Sequence, residues 1–99
     1  MSVEAKIAER LSIEAVLEQL AEEATELAQA ALKYTRILRG ENPTPVTERE
    51  AHANLVEEKV DVEICLAVLK EKMPLEYAHT FLEKETKKGR WLYRLEEKK

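Results

Sequence analysis

Apolar residues recur every three or four positions once the chain passes Ser12. Ile13, Val16, Leu17, Leu20, Leu27 and Ala31 form one stripe, the spacing of an amphipathic helix. Ser12 offers a side-chain oxygen to a first turn, and Gly40 suits the left-handed residue that ends a helix. The pattern therefore predicts a helix from about Ile13 to Arg39, preceded by a short one over about 2–10. "GENPTPV" (40–46) holds a glycine and two prolines and reads as a loop. Thr47 with Glu50 three residues on is a capping box. Leu55, Val56, Val60, Ile64, Leu66 and Leu69 carry the next helix to about Met73. Pro74 suits the first turn of a fourth helix bearing Tyr77, Phe81, Trp91 and Leu92, with Gly89 as its weak point.

Composition narrows the class. The 99 residues are 36% charged and 44% hydrophobic, with two glycines and three prolines, the mix that long helices use. Val and Ile are scattered rather than alternating. An all-α single domain over 1–99, built on a central antiparallel hairpin of two long helices, is the expected fold. The net charge of −4 argues against a nucleic-acid polymer as partner, because phosphate neutralisation needs a basic surface. No apolar run approaches the ~20 residues of a membrane span, and the acid-bearing start MSVEAKIAER lacks the apolar core of a signal peptide. A cytoplasmic location is expected. Cys65 stands alone in "EICLAVL" and reads as a buried reduced thiol.

Two carboxylate clusters interrupt the most apolar stretches. "LAEEATELAQ" (20–29) holds Glu22, Glu23 and Glu26, and "LVEEKVDVEI" (55–64) holds Glu57, Glu58 and Asp61. In the hairpin Glu26 lies ~20 Å and Glu58 ~17 Å from the turn, at 1.5 Å per residue. Glu23 and Asp61 lie ~24 and ~21 Å from it on the same rise. Glu23 is thus expected level with Asp61, and Glu26 with Glu58. Each pair is spaced i, i+3, so its two carboxylates share a helix face. Four such groups would repel one another if left bare. Hard divalent cations take oxygen ligands, Mg²⁺ commonly a few carboxylates with water and phosphate, so the clusters read as a metal cage. The competing account is a solvated acidic face, in a chain with 20 acidic residues.

E-E-x-x-E (Glu22, Glu23, Glu26) followed by E-x-x-D (Glu58, Asp61) resembles the signature of the MazG-like all-α nucleoside triphosphate pyrophosphohydrolases. "LEQLAEEATELAQAALKYTR", a turn, and "NLVEEKVDVEICLAVLK" are similar to the small single-module members over roughly residues 13–73. The 31 residues between Glu26 and Glu58 are a little more than is usual there, and the loop absorbs the excess at small entropic cost. The resemblance implies a four-helix module completed by dimerisation, as a homodimer or a dimer of dimers. It implies that Glu23, Glu26, Glu58 and Asp61 bind Mg²⁺, with Mn²⁺ as a substitute, and that Glu22 is a supporting acid. It implies hydrolysis of a nucleoside triphosphate between the α and β phosphates to the monophosphate and pyrophosphate. One of the four acids would serve as base.

Other residues bear on a substrate. Lys33 follows Glu26 by seven positions, ~10 Å nearer the loop, and Arg36 lies a turn further. Both are candidates for the β and γ phosphates, against the alternative of basic residues favoured by a helix C-terminus. Lys84, Lys87, Lys88, Arg90 and Arg94 make the last helix basic, read chiefly as a solvated face. Trp91 and Tyr93 could stack on a base, though Trp91 suits a core or a subunit contact as well. Glu76 and His79 form one E-x-x-H, where a di-iron bundle needs two, and His52 has no partner motif. There is no phosphate loop of the G-x-x-x-x-G-K-[ST] kind, and Cys65 has no neighbouring His for nucleophilic catalysis. The rival functions are a non-catalytic dimeric helical interaction module and a degenerate homologue that binds metal without turnover.

Overall fold

The computed structural model describes residues 1–41, 45–74 and 80–98. Every element among them is helical: α1 (Val3–Arg10), α2 (Ile13–Arg39), α3 (Glu48–Lys72) and α4 (Phe81–Glu97). Ser2 and Ser12 cap α1 and α2, each accepting a hydrogen bond from a backbone N–H three residues on, at 3.0 and 3.1 Å. Gly40 ends α2 in the left-handed conformation, with φ 64°, and its N–H returns to Arg36 and Ile37 carbonyls. At Thr47 both arms of the capping box close: Glu50 N–H donates to Thr47 Oγ1 at 3.1 Å, and Thr47 N–H donates to Glu50 Oε1 at 2.9 Å.

α2 packs along α3, and α1 packs on α3. The hairpin is antiparallel. Val16, near the start of α2, meets Val68 and Leu69, near the end of α3, with Ala8 of α1 closing the cluster. At the turn end Ala30 and Ala51 are buried, and Tyr34 meets the His52 ring edge-on, centroids 5.8 Å apart. The hairpin is therefore fastened by an apolar cluster at its open end and by small residues and caps at its turn. The acidic pairs lie between.

The expected apolar stripes are only partly covered. On α2, Val16 is buried, whereas Leu17 and Ala31 are exposed. On α3, Cys65, Val68 and Leu69 are buried, whereas Val56, Val60, Ile64 and Leu66 are more than 40% exposed. The reason is geometric: the apolar residues of α3 surround its axis instead of sharing one stripe, and a single hairpin partner covers one side. α4 buries none of its residues. Trp91 is 64% exposed, so of the two packing places expected for it, the core of its own chain is excluded. The helix also runs unbroken through Gly89. The expected start at Pro74 abuts residues 75–79, and Tyr77, Glu76 and His79 lie outside the described residues. No helix among the described residues is long and apolar enough to cross a membrane.

Candidate metal centre

Midway along the hairpin, Glu23 and Glu26 of α2 face Glu58 of α3. One carboxylate oxygen from each residue lies within 4.8 Å of the others. Their convergence follows from the helix: i, i+3 spacing stacks Glu23 over Glu26, and the antiparallel register brings Glu58 opposite. Asp61, one turn beyond Glu58, stands outside that tight group, yet its charge acts on both Glu23 and Glu58. The predicted quartet is thus a triad with a fourth acid beside it. Glu22 is exposed on α2 and does not join the triad.

The triad is electrostatically costly as it stands. Lost hydration pushes the Glu58 carboxyl above its ordinary value, and the adjacent Glu26 and Asp61 add to the rise. Lost hydration also raises Glu23, partly opposed by the Gln19 amide, whose Nε2 donates to Glu23 Oε1 at 2.7 Å. The other oxygens, Glu23 Oε2 and Glu58 Oε2, are shielded from solvent and have no hydrogen-bond partner. A shielded polar atom without a partner is unfavourable, and no cationic side chain makes an ion pair with the triad among the described residues. An all-oxygen set with orphaned lone pairs fits a hard cation such as Mg²⁺ or Mn²⁺.

On the turn side the triad opens into a cavity of about 400 Å³, walled by Glu26 and Glu58 together with Gln29, Lys33, Arg36 and Asn54. Lys33 and Arg36 are half-buried and form no ion pair among the described residues. Such volume lies within the usual range for small-molecule sites, and two free cations beside three carboxylates would suit a phosphate chain held partly through metal. Trp91 is elsewhere. It lines a surface hollow with Lys87, Arg90 and Arg94, and no α4 residue reaches the triad's cavity.

Gln19, Gln29 and Asn54 escaped the sequence reading. Gln19 precedes Glu23 by four residues and Asn54 precedes Glu58 by four, so each shares its acid's face, but an isolated amide carries no signature of its own. Cys65 is buried as expected, and burial raises its thiol, with Glu23 and Asp61 contributing. No known family model, curated protein or solved structure gives a significant match to the chain.

Proposed function

We propose that the chain is a Mg²⁺-dependent nucleoside triphosphate pyrophosphohydrolase, cleaving between the α and β phosphates. The observation that carries this reading is the triad Glu23, Glu26 and Glu58, with two orphaned oxygens, opening onto a cavity that also holds Lys33 and Arg36. Glu23, Glu26 and Glu58 would hold the ion, with Asp61 a turn away as the fourth acid. A bound divalent ion supplies neutralisation of phosphate oxygens and a water of lowered pKa. Water adds to the α-phosphorus, the bond to the bridging oxygen breaks, and one of the acids takes the water's proton. Lys33 and Arg36 balance the charge of the departing pyrophosphate. Glu22 keeps the supporting role proposed from the sequence without a contact to the triad, and Trp91, which lines a separate hollow, could stack on a base only from a partner chain.

The same reading includes a homodimer or a dimer of dimers in the cytoplasm. The chain exposes 8105 Å², against roughly 5,800 Å² for a compact monomer of its mass. The excess is comparable to one partner's share of a large obligate interface. Exposed Leu66, Trp91, Leu92 and Leu95 are natural candidates for that contact.

A second reading, a non-catalytic helical interaction module, is favoured by the uncovered α4. A nucleotide panel with Mg²⁺, resolving pyrophosphate from orthophosphate, separates the two. Monophosphate plus pyrophosphate supports the hydrolase. Metal binding without turnover supports a degenerate homologue, and neither metal binding nor turnover supports the module.

A further inference from the structure

Gln19 stands one turn before Glu23 on α2, and Glu26 stands one turn after it. The two therefore approach the Glu23 carboxylate from opposite ends of the helix. The Gln19 amide donates from Nε2 to Glu23 Oε1 at 2.7 Å. The other oxygen, Oε2, is shielded from solvent and has no partner. One oxygen of this carboxylate is thus engaged along its own helix, and the other is left for the triad. The stem of Gln19 borders an apolar hollow with Val16, Ile64 and Val68. Turning the amide into that hollow would strip it of hydrogen bonds, which favours the direction along the helix instead.

That division bears on the choice of ion. Ca²⁺ takes roughly six to eight oxygens in a flexible arrangement and readily chelates both oxygens of one carboxylate. Mg²⁺ demands a near-ideal octahedron, whose right angles the narrow bite of a single carboxylate does not span. Resting on the metal centre of the hydrolase reading above, we propose that Gln19 is a positioning residue. It holds Glu23 as a one-oxygen ligand and so tilts the centre toward Mg²⁺ and against Ca²⁺. Without the amide, Oε1 is free to turn with Oε2 onto the same ion, which gains a ligand for Ca²⁺ and loses preorganisation for Mg²⁺. The competing account is an amide–carboxylate bond that supports the helix and nothing else. The two differ in a measurable way, because support of the helix treats both ions alike.

The test uses the full chain without nucleotide. Mn²⁺ is bound first, its free ion counted by its paramagnetic signal, and Mg²⁺ and Ca²⁺ are then each used to displace it. Gln19→Met keeps an unbranched stem and a good helix former while removing the donor. It should weaken Mg²⁺ about ten-fold or more, the scale on which partners of metal ligands act, and leave Ca²⁺ within about two-fold of wild type. The ratio of the two affinities therefore falls about ten-fold. Gln19→Arg returns an N–H donor on a stem long enough to reach Glu23. Its charge weakens both ions alike, since both are divalent, so its ratio should return to within about two-fold of wild type. Gln19→Ala repeats the donor removal should Gln19→Met lose its helical signal. An unchanged ratio on donor removal, including an equal loss of both ions, overturns the proposal, and so does a ratio in Gln19→Arg as low as in Gln19→Met. Either result sinks the role of Gln19 alone and leaves the metal centre standing. Wild type that binds none of the three ions removes the metal centre, and this proposal with it.

Discussion

Glu23 and Glu58 each keep one oxygen shielded and unpartnered, and both titrate above the ordinary carboxylate value of 4.5. Folding therefore favours their protonated forms. Their contribution is fully present below 4.5 and is lost as pH rises through the raised values. Glu50 acts in the opposite sense, because bonds from Thr47 lower it; its contribution holds above 4.5 and fades as pH falls. Thermal melts in chelator should show the metal-free protein losing stability as pH rises past 4.5 toward neutrality, less steeply in Glu58→Gln. At neutral pH that variant should melt higher than wild type without metal, lose the Mg²⁺-dependent upward shift, and lose turnover while keeping its helical signal. A Mg²⁺ shift of unchanged size in Glu58→Gln would remove Glu58 from the metal set. The meeting of Glu23, Glu26 and Glu58 was legible in the sequence because helix rise and an antiparallel turn fix axial level. Asp61 standing apart was not, since side-chain reach at the same level depends on local crossing geometry. Gln19 was illegible for another reason: its role is conferred by what Glu23 faces across the hairpin.

At the scale of elements, the caps carry much of what specifies the hairpin. Thr47→Ala removes the Oγ1 arm of the capping box and keeps the backbone N–H arm to Glu50; it should cost about 1 kcal/mol, lowering the melting temperature by roughly 4–8 °C in a domain of this size. Gly40→Ala meets no crowding, so its cost is that of a left-handed backbone alone, about 1–2 kcal/mol. Leu69→Ala, in the cluster that closes the open end, should cost about 2–5 kcal/mol. Melting within experimental error of wild type in the Thr47 and Gly40 variants would mean that tertiary packing alone sets the hairpin's limits. These boundaries were readable because caps are local: Ser12, Gly40 and Thr47 act within a few residues. The coverage of α3 was not, because apolar residues around its axis specify burial on more than one side without naming the partner.

For the whole molecule, the radius of gyration is 17.3 Å, where a compact chain of 100 residues has about 13 Å. α4 holds Phe81, Leu82, Trp91, Leu92 and Leu95 at more than half exposure. Sedimentation should find an assembly larger than one chain, and Trp91→Ala combined with Leu92→Ala should reduce its mass while sparing the melting of a dilute monomer. Monomeric wild type at high concentration would remove the dimeric part of the reading. Whether Trp91 packs in the core or at a subunit contact was not legible, because a tryptophan in an amphipathic helix signals burial against something, and one chain does not say whether that is itself or a copy.

The hairpin is tied at both ends and charged in its middle, and this arrangement should show in time as well as in equilibrium. Contacts between α2 and α3 can form outward from the turn, each closing a short loop once its neighbour is made, so folding should be fast. The carboxylates gain nothing from meeting early, and a cation can bridge them only once both helices are in register. Its stabilisation would then be absent from the transition state, and such interactions slow unfolding without speeding folding. In stopped-flow measurements Mg²⁺ should therefore shift the unfolding limb of the chevron and leave the refolding limb in place, so that the ion acts as a latch on a hairpin already closed.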